Sequence, residues 1–260
     1  MAQADHINPG MLTWARETAG LSVEEAAKKL CLKDTAKATA VEKLLALEAG
    51  QRDPGQTTLQ KAVSAYRRPL IAFYMAAPPK RGDRGEDFRT VSGSVSARDN
   101  GTLDALLRDV RARQQMLCQV LEDEEEAQRL PFVGSARIEH GAKKVAASLR
   151  ASLQVTREHQ KLAKGPKDLF SLLRSAVERI GVYVLLLGDV GSHHSDIGEN
   201  VFRGFALADD VAPFIVVNDN DAETARSFTL MHELAHIWLG ASGVSGPLQN
   251  MPEKRHRTVL

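Results

Sequence analysis

The sequence predicts an α+β protein in two parts, and three observations carry that expectation. Short helical segments punctuated by glycine and proline fill residues 9–75. Three apolar runs of strand length come much later, at Val182–Leu187, Phe202–Leu207 and Phe214–Val217. A last helical segment beyond them carries two histidines and a glutamate at helical spacing. At roughly 100–150 residues per domain, the 260 residues leave room for two cores.

In the N-terminal part, Leu12, Ala15, Arg16 and Ala19 fall at helical spacing and Gly20 ends the segment. Ser22 with Glu25 three residues on makes a capping box for a second helix, Val23–Leu30, giving helix, tight turn, helix. A third segment, Ala40–Ala49, carries Val41, Leu44, Leu45 and Glu48 and stops at Gly50. After Pro54 a fourth helix is expected from about Thr57 to Arg67, ahead of Pro69. An all-α helix-turn-helix module is therefore expected over 1–77. The stretch 78–100, with Pro78-Pro79, a charged run at Lys80–Arg84 and serines at Ser92–Ser96, reads as a linker.

The second domain is expected over 101–260. Leu103, Leu106, Leu107, Val110, Leu117 and Leu121 predict a long amphipathic connecting helix at about 102–126, with Glu122–Glu126 as its solvated end. Helical pattern returns over Ile138–Ala151 and Lys167–Ile180. Val182–Leu187 is continuously apolar and predicts a strand buried on both faces. In Phe202–Leu207 the mid-strand Gly204 and the charge of Arg203 resemble an edge strand, which either accepts an extended peptide or merely finishes the sheet. Phe214–Val217 ends in Asn218-Asp219-Asn220-Asp221, expected to cap the next helix.

Composition narrows the partners. The formal net charge of +1 argues against holding nucleic acid by bulk charge and leaves only a local patch. Cys31 and Cys118 have no Cys-x-x-Cys spacing, so neither a disulfide framework nor a thiolate zinc site is expected. No stretch approaches a membrane span and the N-terminus lacks a leader pattern, so the expected location is the cytoplasm, with no membrane contact.

His232-Glu233-Leu234-Ala235-His236 is a His-Glu-x-x-His pattern. Random order of this composition produces it about 0.02 times per chain, so coincidence explains it poorly. Residues four apart share one face of a helix, so both imidazoles can reach one metal ion while Glu233 holds a water beside it. Phe228, Leu230, Met231, Leu234, Ala235, Ile237, Trp238 and Leu239 make the helix apolar nearly all the way round, which predicts burial. Two buried histidines and a glutamate then need strong partners: either a Zn²⁺ ion with an ordered water, or backbone and carboxylate groups. The zinc arrangement predicts metal-assisted hydrolysis, with Glu233 as general base and zinc polarising the scissile carbonyl. His193 and His194 are alternative donors, read as solvated loop residues.

Gly204-Phe205-Ala206-Leu207, Pro213–Asn218 and Arg226–His236 resemble the ImmA/IrrE family of zincin-like metallopeptidases. Trp14-Ala15-Arg16, Gly20-Leu21-Ser22, Glu48, Gly50 and Pro54 resemble the XRE type of helix-turn-helix fused to that family. The resemblance implies a zinc endopeptidase that cleaves a helix-turn-helix repressor in a stress-response or mobile-element system. It implies His232 and His236 as zinc ligands and Glu233 as the catalytic base.

The chain departs from the family pattern twice. Between Leu30 and Glu48 it carries more residues than the compact helix-turn-helix pattern, including Lys33, Lys37 and Lys43. Those lysines suit phosphate contacts, but residues 1–80 hold only 11 basic groups against 8 acidic ones, so DNA binding through 9–75 and a purely protein-contacting role both stand. The family's third zinc ligand is an acid on a downstream helix, usually in a Glu-Arg-x-x-Asn-like stretch. Here Glu253 is the sole acid after His236, and Gly246–Leu260 has no helical apolar period. Permitted codons for Lys254–Leu260, read one nucleotide later, give Ser-Ala-Ile-Glu-Arg-Phe, so a frameshift just upstream of Lys254 and a truncated C-terminus are expected. The competing expectation is a catalytically impaired regulator that binds DNA or a repressor, its two-histidine site completed by Glu253 or His256 or holding zinc weakly.

Overall fold

A computed structural model describes residues 7–79, 95–191 and 195–245. The expected linker therefore falls largely, and the tail 246–260 with Glu253, His256 and the expected frameshift wholly, outside the described residues, as do His193 and His194. The chain is α+β and divides into two compact units. The described part of the first comprises 7–79 and 95–108, that of the second 109–191 and 195–245.

In the first unit, helices α1 (Pro9–Thr18), α2 (Val23–Lys29), α3 (Ala40–Glu48) and α4 (Gln56–Tyr66) are followed by a 3₁₀ turn at Leu70–Tyr74. Local chemistry sets the boundaries. The Ser22 hydroxyl accepts from the Glu25 N–H at 3.2 Å and the Glu25 carboxylate accepts from the Ser22 N–H at 2.9 Å, the capping box that its sequence predicts. Thr39 and Glu42 form a second box on α3. Gly20, at φ +68°, makes the turn between α1 and α2, and a side chain there would lie 2.2 Å from the Ala97 carbonyl. Leu12, Leu30, Leu44, Tyr66 and Phe73 centre the core. The Arg16 guanidinium donates to both Glu48 oxygens, at 2.7 and 3.1 Å, and so locks α1 to α3 through a nearly buried fork.

The extra residues between α2 and α3 form an ordered turn. Cys31 takes a left-handed φ of 53°, Thr35 pairs with Ala38, and Asp34 accepts from the Ala40 N–H at 2.7 Å. Lys43 donates back to the Lys33 carbonyl, while Lys33 and Lys37 are exposed.

Helix α5 (Ala97–Asp123) starts earlier than its apolar period suggests, because Ser96 caps it: its hydroxyl accepts from the Asp99 N–H at 3.1 Å. It also ends earlier, with Glu125 left-handed at φ 58°, so Glu124–Glu126 follow the helix as exposed turn.

The second unit adds α6 (Gly141–Leu153), α7 (Arg157–Lys161), α8 (Pro166–Arg179) and α9 (Glu223–Trp238) around a sheet of β1 (Tyr183–Leu186), β2 (Gly204–Leu207), β3 (Phe214–Val217) and β4 (Gly243–Ser245). The strand order is β1-β3-β2-β4, with β1 parallel to β3 and the other pairs antiparallel. Two expectations fail here. β2 is an interior strand, paired on both sides and fully buried, because the short β4 takes the edge beside it. β1 is not buried on both faces: it is the other edge, and Tyr183 is exposed. The core lies among the sheet, α6, α8 and α9, around Leu173, Val177, Ile215, Leu230, Leu234 and Trp238.

Candidate functional site

Helix α9 packs on β2, β3 and α8. It is held at both ends by groups outside it. At its start Asp221 accepts from the Ala222 N–H at 2.8 Å and lies 3.6 Å from Arg203. At its end Gly134 and Ala136 donate to the Ile237 and Trp238 carbonyls at 3.1 and 2.8 Å, satisfying groups that a helix terminus leaves open. Trp238 is buried, donates from its indole N–H to Ser148 at 3.2 Å, and stacks on Phe132 at 4.3 Å.

The expected capping by Asn218–Asp221 takes another form. The N-cap is Ala222, which has no side-chain cap. The fully buried Asn218 instead donates to the Ile197 and Phe202 carbonyls, each at 3.0 Å, and Asn220 donates to the Gly188 carbonyl at 3.0 Å. These side chains tie down the connection between β1 and β2, whose main-chain acceptors need partners.

The helix is not buried all round. Thr229, Leu230, Glu233, Leu234, Ile237 and Trp238 form one buried face, whereas His232 and His236 are half-buried and Phe228 is 57% exposed. An apolar composition alone does not say which sector of a helix meets the core, and here the histidine stripe lies at its margin.

The three residues singled out by the sequence come together as follows. His232 and His236 present their Nε2 atoms to each other at 3.2 Å, with the rings nearly perpendicular at 79°. Phe228 lies over the His232 ring, centroids 6.0 Å apart. Glu233 is fully buried on the sheet side. It can sit so deep because β2 offers no side chain at Gly204, where a Cβ would come within 3.1 Å of Glu233 Cγ and 2.6 Å of Thr229 Cγ2. Gly204 is the site residue that sequence reasoning missed. Its glycine was legible, but it read as a strand-edge mark and not as the seat of a helix.

The nitrogen separation tests the fit of a metal. Two ligands of a tetrahedral zinc ion at ~2.0–2.1 Å are about 3.3–3.4 Å apart, and the observed 3.2 Å agrees with that spacing. The donor chemistry agrees as well, since neutral imidazole nitrogens suit zinc. Among the described residues no cluster of three or more His, Cys, Asp or Glu side chains is suited to a metal, so the described part of the site supplies a two-histidine pair, with Glu233 next to it in sequence and turned to the sheet.

Among the described residues no helix is long and apolar enough to cross a membrane. No curated protein and no solved structure matches the chain significantly. Residues 178–257 match the family model of the IrrE N-terminal-like domain, Peptidase_M78. That family is generally zinc-dependent, and a peptidase acts on protein. The stretch from the end of α8 through the histidine helix is thus similar to the IrrE N-terminal-like domain, which supports the ImmA/IrrE family and a metallopeptidase-like role for this part of the chain.

Proposed function

We propose that this chain is a zinc-dependent endopeptidase of the ImmA/IrrE type, acting in the cytoplasm on a helix-turn-helix transcriptional repressor within a stress-response or mobile-element system. The observation that carries the reading is the convergence of the His232 and His236 Nε2 atoms at 3.2 Å, with the buried Glu233 adjacent on the same helix.

His232 and His236 would hold the ion, and the half-buried setting leaves their stripe open to a substrate. Zinc, when bound, supplies Lewis acidity, bringing the pKa of a water towards ~7 and polarising a peptide carbonyl. The Glu233 carboxylate takes a proton from the attacking water and returns it to the departing amide nitrogen. Its dry surroundings against β2 strengthen the electrostatics of that transfer. In the first unit, α1–α4 and the lysine-bearing turn at 31–39 form the surface for the repressor or for operator DNA.

A second reading, a catalytically impaired regulator with the same fold, is favoured by the absence of a three-donor cluster among the described residues. Zinc per chain, measured for the wild type and for His236→Ala, separates the two. The enzyme reading expects about one zinc in the wild type, far less in the variant, and repressor cleavage that Glu233→Gln abolishes. Substoichiometric zinc and an uncut repressor in the wild type establish the regulator instead. Operator binding is read separately, from the salt dependence of DNA retention.

A further inference from the structure

We propose that the cavity where α8, β1 and the start of α9 meet is a binding site for a phosphate monoester. It lies wholly in the second unit, uses none of the histidine-helix residues of the proposed active site, and has a volume of about 150 Å³. At ~30 Å³ per water this is room for roughly five waters, enough for a phosphate group and a small apolar body.

The lining is charged in one sense. Lys167 and Arg174 from α8 and Arg226 from α9 face one lining carboxylate, Glu223, and with Arg174 paired to Glu178 outside the lining two uncompensated cations meet that anion. Arg226 is oriented by main-chain acceptors: it donates to the Asp219 carbonyl at 2.6 Å and the Asp221 carbonyl at 3.1 Å. Those bonds fix the guanidinium without neutralising it. Arg174 is braced differently, by the Val184 carbonyl at 3.0 Å and by an ion pair with Glu178 at 2.9 Å that offsets its charge.

The backbone adds to this field. Leu186 is the last residue of β1, which runs parallel to β3, so the cavity lies at the carboxyl ends of the parallel pair, where open sheets receive ligands. Lys167 lies in the first turn of the 14-residue α8, and Glu223 and Arg226 in the first turn of the 16-residue α9. Both helices therefore bring their positive ends to the same place.

Lys167 and Arg226 against Glu223 leave one positive charge, and the two helix N-termini add about half a charge each, a balance that favours a dianionic phosphate group over a carboxylate. Phe170 and Leu186 supply the apolar wall for the group that carries it.

Titration of the full-length chain with phenyl phosphate, inorganic phosphate and acetate at constant ionic strength tests this, read by calorimetry. Expected is saturable one-to-one binding of phenyl phosphate, weaker binding of inorganic phosphate and none of acetate. Lys167 is exposed, so Lys167→Glu retains the fold; it should weaken phenyl phosphate at least tenfold. Glu223→Gln, which removes the carboxylate of the lining, should tighten it severalfold. The absence of saturable binding overturns the proposal, and so does an affinity that neither variant changes. The readout is affinity alone, so the result stands whether or not the chain cleaves protein.

Discussion

Replacing Gly204 by alanine tests the seating of the histidine helix. The added methyl would lie 2.6 Å from Thr229 Cγ2, 2.9 Å from the Val216 carbonyl oxygen and 3.1 Å from Glu233 Cγ. Comfortable carbon contacts need ~3.5–4.0 Å, so the structure must open by about 1 Å here. The Val216 oxygen belongs to the adjacent strand and cannot yield without disturbing the sheet. Thr229 is buried and β-branched, with little rotamer freedom in a helix. The strain must therefore lift α9 away from β2. Overpacking of this kind costs about 1–3 kcal/mol, which lowers Tm by roughly 3–10 °C in a unit of this size. Catalytic groups tolerate displacements of only about 0.5 Å, so the same shift would move Glu233 out of the position that the proposed mechanism requires. Thermal unfolding followed by near-ultraviolet circular dichroism, which reports Trp238 on the same helix, reads the effect. A Tm within about 1 °C of the wild type would refute the argument that α9 is seated on Gly204.

Other perturbations follow from the same structure. Glu48→Ala leaves the Arg16 side chain, 11% exposed, without its fork partner. This should destabilise the first unit by about 3 kcal/mol in urea unfolding, and the double substitution Arg16→Met/Glu48→Leu should restore most of it. Burial first, and then the charge of Asp209 3.5 Å away, push the Cys118 thiol up to about 11. Because the shift is upward, the reactive thiolate gains population only as pH rises towards that value. Iodoacetamide at pH 8 should accordingly label the exposed Cys31 at least ~10-fold faster; equal rates would contradict the placement of Cys118. Asp209→Asn should accelerate Cys118. Zinc at a hundred times its Kd should stabilise the wild-type chain by about 2.7 kcal/mol and leave His236→Ala nearly unchanged, as a melting titration would show.

What the sequence made legible was local. Ser22 with Glu25 and the glycine stop at Gly20 act within a few residues of themselves, so α1 and α2 could be read directly. The spacing of His232 and His236 likewise needs nothing beyond one helix. Strand order is different in kind. Whether β2 lies inside the sheet depends on β4, whose three residues are too few to show a period. The same distance effect hid the purpose of Gly204, whose contacts come from Val216, Thr229 and Glu233. The asparagines after β3 have the composition of helix caps, but their acceptors, at Gly188, Ile197 and Phe202, lie in a loop that no helical rule connects to them.

The pinning of α9 at its two ends bears on how the proposed zinc site would be loaded. Gly134 and Ala136 close its last turn, and Asp221 secures its start, all through protein atoms. In a zinc finger the ion itself gathers the chain, and folding and loading are one event. Here protein atoms alone brace the helix that carries both imidazoles, so under the proposed function loading would add to a finished scaffold. Chelation should strip the ion without melting the domain, and amides of residues 230–238 should stay protected from hydrogen exchange in the stripped protein.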